Sequence, residues 1–161
     1  MGTFISYLYQ DINIYNNSVP ILTNPFVSPI ADNGPLFYRY YIKDTVLVDS
    51  TKCYHLIFYP RNKADMVFQG ELYITYDSNY AVKKSELTVS SEINLNFVKE
   101  LKVTQEYTEV SPGEWLLSKD NIAIDFGLGP NGMGIFGQRA LSFKDFVFNQ
   151  AMPDTFYKGE S

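Results

Sequence analysis

Apolar and polar residues alternate along most of this chain with a period of two, the spacing that sets one face of a β-strand on a core and the other toward water. The clearest run is Met66, Phe68, Leu72, Ile74 and Tyr76, interleaved with Val67, Gln69, Glu71, Tyr73 and Thr75. Gly70 interrupts it, which predicts a bulge or a close backbone contact. Phe37 to Val48 reads as a long strand with Tyr38, Tyr40, Ile42, Val46 and Val48 on one face. Asp49-Ser50-Thr51-Lys52 forms a tight connector, and Cys53 to Tyr59 returns. Pro60 to Asp65 and Asp77 to Asn79 are turns around the central run. Further strands follow at Tyr80 to Val89, Leu101 to Val110, Glu114 to Leu117, Ile122 to Phe126 and Ala140 to Asn149. Pro112-Gly113 is a turn, and a glycine-rich loop covers 127–137.

Three stretches depart from this rhythm. Phe4, Tyr7, Leu8 and Ile12 sit at helical spacing and predict a short helix over 3–11; Ile93 to Glu100 predicts a helical turn. Residues 16–36, rich in Asn, Ser and Pro, predict a long connector without regular structure. Seven or eight short strands joined by tight turns, with no βαβ rhythm, predict a mainly β fold. Its expected form is an antiparallel meander curled into an open or half barrel, with one or two short helices.

Composition sharpens this picture. The chain has 161 residues, with 13 Tyr, 12 Phe and one Trp, and such aromatic weight suits pleated, half-buried surfaces. The net charge is −5 and the pI about 4.8, which disfavours nucleic acid and anionic lipid headgroups as partners at long range. One cysteine, Cys53, excludes an intrachain disulfide. No apolar run approaches the roughly 18–20 residues that span a bilayer as a helix. The chain shows no signal-peptide pattern, and its abrupt ends lead to the expectation that 1–161 is a single β-rich domain excised from a larger protein.

Catalytic constellations are scarce. Gly127-Leu128-Gly129-Pro130-Asn131-Gly132 spells a dinucleotide fingerprint, but Pro130 lies inside it and no helix pattern follows to hold a pyrophosphate. The reading is a loop, and no cofactor is expected. Cys53 and His55 share one face of a strand and offer two metal ligands where a structural zinc site needs four. A buried cysteine beside a satisfied histidine is the simpler reading, and no metal site is expected. Asp44, Asp65, Glu71, Glu86, Glu106, Glu109, Glu114 and Asp125 read as solvated strand faces and turn residues, with Asp125 capping a turn. A hydrolase would need two of them converging in a cleft with shifted ionisation. Arg39 and Arg61 read as structural cations able to pair with a carboxylate across strands.

The feature with most functional latitude is Phe37-Tyr38-Arg39-Tyr40-Tyr41, which populates both faces of one strand. If only one face meets a core, the other presents tyrosines, which are apolar in body and polar at the tip, to a partner. These five residues are the candidate interaction surface.

Asn13-Ile14-Tyr15, Phe26-Val27-Ser28-Pro29-Ile30, Tyr38-Arg39-Tyr40-Tyr41 and Lys52-Cys53-Tyr54 resemble an uncharacterised Bacteroidetes family associated with the outer membrane. The resemblance continues through Pro60-Arg61, Lys63, Asp65, Phe68 and Gly70, then Asn96-Phe97-Val98, Gln105-Glu106-Tyr107, Phe136-Gly137 with Arg139, and Pro153-Asp154 with Phe156-Tyr157. In that family the domain lies between a carboxypeptidase-regulatory-like β-sandwich and a C-terminal region read as a β-barrel. The resemblance implies an exported parent protein, a position on the periplasmic side of the outer membrane, and no catalytic residues. The strand pattern is also similar to the open half-barrels of the lipoprotein carriers LolA and LolB. Asp44-Thr45-Val46 fits the Asp-Thr-aliphatic O-glycosylation pattern of that phylum. The expected function is therefore a non-catalytic interaction or assembly domain that contacts neighbouring domains of its parent or other envelope components. The alternatives are a carrier of lipid or another apolar ligand, which needs an apolar pocket of several hundred Å³, and a carboxylate-dependent hydrolase.

Overall fold

The period-2 segments pair edge to edge in a computed structural model that describes residues 12–21, 24–89, 98–127 and 134–143. Two short strands, β1 (Ser18–Ile21) and β2 (Asn24–Val27), make a hairpin. A single helical turn, α1 (Gly34–Phe37), leads into β3 (Tyr38–Val48), β4 (Thr51–Pro60), β5 (Phe68–Thr75), β6 (Val82–Val89), β7 (Val98–Ser111), β8 (Glu114–Gly127) and β9 (Gly134–Ser142). The last seven strands form one antiparallel sheet in sequence order, with β3 and β9 at its edges. The fold is thus mainly β, an open antiparallel meander with one short helix among the described residues. The expected helix over 3–11 lies outside them.

The register explains which face is the core. Tyr40, Phe58, Gly70, Leu87, Val103, Ile122 and Arg139 lie directly opposite one another across all seven strands. Phe58, Leu87, Val103 and Ile122 in this row are buried. Gly70 is required there, because a Cβ would stand 1.9 Å from the Glu86 carbonyl oxygen. The close backbone contact expected at Gly70 is therefore present.

What covers this row is the chain's own N-terminal part. Ile14, Val19, Ile21 and Phe26 are buried and belong to the same core cluster as Phe58, Phe68, Leu72 and Leu87. Burying each such side chain contributes about 1.5–3 kcal/mol before entropy is counted. Polar bonds fix the cover. Gln105 Nε2 donates to the Ile12 carbonyl at 2.8 Å, the Ser28 hydroxyl donates to the Ile14 carbonyl, and the Val82 amide donates to the Tyr15 hydroxyl at 3.3 Å. The hairpin also joins the sheet side by a parallel bridge between Val27 and Val67.

Several expectations are corrected. Residues 16–36 are not a structureless connector: they contain β1, β2 and α1. Pro20 faces Pro25 in the hairpin, a position a two-stranded ribbon tolerates because its outer edges need no amide donors. Val98–Glu100 belongs to β7 rather than a helical turn; the rest of that segment lies outside the described residues. Glu114 to Gly127 is one strand, and the polar stretch Ser118–Asn121 that seemed to divide it absorbs a register shift opposite Glu106/Tyr107. β9 starts at Gly134, inside the expected glycine loop and ahead of the expected Ala140. Asp125 pairs with Phe136 within the β8–β9 ladder, so it does not cap a turn. A bulge between Ile42 and Asp44 also switches faces. Ile42 opposes Leu56 on the core side, whereas Asp44 and Val46 oppose His55 and Cys53 on the other. Val46 and Val48 therefore do not share a face with Tyr38.

Candidate interaction surface

The aromatic run Phe37–Tyr41 is divided by the pleat. Tyr38 points into the core and is fully buried, its ring edge-on to Phe58 at 5.5 Å. Its hydroxyl accepts from the Phe68 amide at 2.8 Å and donates to the Val27 carbonyl. Burial raises its ionisation well above the ordinary tyrosine range, against a smaller opposing effect of the Phe68 amide. Tyr40 also turns inward, and its hydroxyl donates to the Pro29 carbonyl at 2.8 Å. Gly34 gives that hydroxyl room, since a Cβ there would lie 2.6 Å from it. Phe37 is half-buried.

Arg39 and Tyr41 face the other way. Tyr41 is 53% exposed and stacks on Tyr59 of β4, with ring centroids 5.4 Å apart and planes 22° from parallel. Arg39 lies opposite Tyr59 in the ladder. Tyr59's hydroxyl is raised first by hydrogen bonding with Tyr41, then by burial, while the Arg39 charge opposes both. Around this pair stand residues that the reading of the sequence did not single out as a surface. Leu36 on α1 is 75% exposed. Arg61 reaches back over α1, its Nε donating to the Pro35 carbonyl at 2.8 Å rather than to the expected carboxylate. Lys63 is exposed in the same turn. The signal for Arg61 and Lys63 was their place two and four residues after Tyr59.

A second cluster lies on the same outer face. His55 is sandwiched between strands: Nδ1 is 3.2 Å from Asp44 Oδ1, Nε2 is 3.2 Å from Glu71 Oε1, and the ring stacks on Tyr73 at 4.7 Å. His55 Nε2 therefore stands within hydrogen-bonding reach of the Glu71 carboxylate. Glu71 and Glu86 are directly opposite in the ladder. Burial pushes the Glu71 carboxyl up, but hydrogen bonds with Glu86 and His55, the His55 charge and a bond from Tyr73 outweigh it and hold the carboxyl below its usual range. Lys84 Nζ is 3.5 Å from Glu86 Oε1. Tyr73's hydroxyl is pushed up to about 12, chiefly by burial and then by the Glu71 and Glu86 charges. Two carboxylates thus converge, but each is engaged by a basic neighbour on a sheet face. Cys53 is fully buried and its thiol is raised by burial. Among the described residues no group of three His, Cys, Asp or Glu side chains is arranged to hold a metal ion.

On the core face, Ser85, Gln105 and Asp120 form a buried polar row across β6, β7 and β8. Gln105 Nε2 donates to Asp120 Oδ1 at 3.2 Å, Tyr107 donates to Gln105 Oε1 at 3.2 Å, and Arg139 donates to Asp120 Oδ2. Its bonds reach the N-terminal cover, which marks it as a structural anchor.

Residues 2–144 match a family described as Family of unknown function (DUF5686). The chain belongs to that family. No curated protein and no solved structure matches it. Family membership therefore brings no assigned chemistry to any of these clusters, and the geometry has to speak for the function.

Proposed function

We propose that this family member is a non-catalytic docking domain of an outer-membrane-associated protein, held on the periplasmic side, with the α1–β3–β4 corner as its contact surface. The observation that carries this reading is the division of the Phe37–Tyr41 run: Tyr38 and Tyr40 are hydrogen-bonded inside, which fixes the strand, while Arg39 and Tyr41 are held outward on Tyr59. A rigid, partly apolar aromatic platform at a sheet edge is what contact surfaces use. The resemblance to a family whose domain sits between a β-sandwich and a barrel supplies the envelope context, with neighbouring domains of the parent or other envelope components as partners. No catalytic role is assigned, because Glu71 and Glu86 are engaged by His55, Tyr73 and Lys84.

Labelling tests the reading. In a Cys53→Ala background, Leu36→Cys, Tyr41→Cys and, as a control, Lys102→Cys are exposed to a maleimide, first in the purified chain and then in the parent protein within intact envelopes. All three should react in the purified chain, and only the first two should become shielded in the envelope. Equal reactivity at all three positions in the envelope would overturn the assignment.

A second reading, the carrier of an apolar ligand, rests on a different observation. A cavity of about 450 Å³ is lined by Tyr15, Tyr107, Trp115, Leu117, Leu141 and Phe143, with Ile12, Asn13, Leu116 and Asp120 completing it. Against it stands the filling of the core face by Ile14, Val19, Ile21 and Phe26, where a half-barrel carrier would hold an acyl chain. Trp115 is the sole tryptophan, so its fluorescence reports directly on that cavity. Saturable quenching on titration with a long-chain fatty acid would favour the carrier; an unchanged spectrum would remove it.

A further inference from the structure

Charge is unevenly spread along this acidic chain. Between residues 33 and 65 there are five basic side chains (Arg39, Lys43, Lys52, Arg61, Lys63) and three acidic ones (Asp44, Asp49, Asp65). The remainder of the chain carries eight basic and fifteen acidic side chains. The segment with the excess of cations is the α1 turn, the β3–β4 hairpin and the turn that follows, so the positive charge is gathered on one edge of the sheet. All five cations are exposed. The same edge carries exposed apolar side chains, Leu36 at 75%, Ile42 at 66% and Leu47 at 73%, and the tyrosines Tyr41 and Tyr59.

We infer that this edge seats the protein on an anionic phospholipid bilayer, with Arg39, Lys43, Arg61 and Lys63 against the headgroups and Leu36, Tyr41 and Ile42 at their level. The inference rests on the reading of the α1–β3–β4 corner as a docking surface and names its partner. Three features select lipid over an acidic protein. The apolar side chains project singly from an edge rather than lining a groove, the cations are exposed to solvent, and tyrosine is the residue that settles at a bilayer–water boundary. The edge strand also discourages strand pairing: its ladder is broken by the bulge at Lys43, and charged side chains of that kind guard sheet edges. The overall charge of −5, which disfavours anionic lipid at long range, is opposed locally because the acidic majority lies elsewhere in the chain.

Co-sedimentation of the whole chain with vesicles tests this. Binding is expected to vesicles of phosphatidylglycerol mixed with phosphatidylcholine, to weaken as salt rises, and to be absent with phosphatidylcholine alone. Each basic side chain near an anionic bilayer strengthens binding roughly fivefold, so Arg39→Gln/Arg61→Gln/Lys63→Gln should weaken it roughly a hundredfold. A control triple, Lys99→Gln/Lys102→Gln/Lys119→Gln, makes the same change in net charge at exposed sites outside the edge and should leave binding within a few-fold of the parent chain. Leu36→Ser/Ile42→Ser should also weaken binding, and a thermal melt of each variant verifies that the fold is kept. The inference is overturned by equal losses in both triples, by equal binding to the two kinds of vesicle, or by binding to polyglutamate as strong as to vesicles. Absent vesicle binding together with shielding of Tyr41→Cys in the envelope would remove lipid as the partner and leave the docking reading standing.

Discussion

Tyr38→Phe removes one oxygen atom and separates the anchoring tyrosine from the displayed one. The Tyr38 hydroxyl sits between the Phe68 amide of β5 and the Val27 carbonyl of β2, and so ties the N-terminal hairpin to the sheet. Phenylalanine keeps the edge-on contact with Phe58 but leaves the Phe68 N–H facing a ring edge in a buried site. Leaving a buried donor unsatisfied costs about 1–3 kcal/mol, whereas a net hydrogen bond alone contributes about 1 kcal/mol, so the substitution should cost about 2 kcal/mol. For a chain of this length each kcal/mol moves the midpoint by about 2–4 °C, which gives a fall on the order of 5 °C. Urea unfolding followed by circular dichroism measures the difference, with Tyr41→Ala as the comparison. Tyr41 is half exposed, and its loss should cost under about 0.5 kcal/mol. The reasoning is refuted if Tyr38→Phe is neutral while Tyr41→Ala destabilises strongly, because the assignment of inward and outward rings would then be reversed.

Other substitutions follow from the same contacts. Gly70→Ala forces a Cβ to 1.9 Å from the Glu86 carbonyl, so the ladder must shift; a loss of about 2 kcal/mol or more is expected by thermal melt. Ser50 and Asp49 hold positive φ values of 69° and 48° at the tip of the β3–β4 hairpin, and Ser50→Gly should raise stability by about 0.5–1 kcal/mol. Arg139→Ala removes the guanidinium from Asp120, a carboxylate only 6% exposed, and should cost about 3 kcal/mol; Asp120→Asn in the same chain should recover part of it in a double-mutant cycle. Burial raises the hydroxyls of Tyr38, Tyr73 and Tyr107 above their unfolded value of 10.0, with Tyr73 near 12. Their contribution to stability is therefore complete below pH 10 and is lost as pH rises through the folded values, which a urea midpoint measured from pH 8 upward would show as a decline beginning near pH 10.

How much of this was legible in the sequence depends on the distance between partners. Alternation set the central strands because a period of two is local, and a glycine inside that pattern announced a close contact without naming its partner, the Glu86 carbonyl of the next strand. The bulges were not legible. A residue added at Lys43 reverses the faces of Val46 and Val48, and nothing in the residues themselves marks it. The hairpin β1–β2 was hidden by Pro20 and Pro25, which act as breakers in a wide sheet and are harmless in a two-stranded ribbon. β9 was displaced by glycines that read as loop. The Phe37–Tyr41 run was visible as a cluster, yet which rings turn inward was decided by the Val27 and Pro29 carbonyls, each eleven residues upstream of the tyrosine it holds. The Gln105–Asp120–Arg139 row joins residues that only the ladder brings together.

The account depends on the segment Ile12–Phe37 being part of the core rather than a removable flap, since only then is the sheet face closed to a ligand and the β3–β4 corner left as the working surface. Native-state amide hydrogen exchange measures this at Val27, whose N–H is held by the Met66 carbonyl, and at Phe68, whose N–H is held by Tyr38. Both should exchange with the same opening free energy as amides of β5 to β7. Exchange at Val27 orders of magnitude faster than in the central strands would show the segment lifting away, and the carrier reading would then replace the docking one.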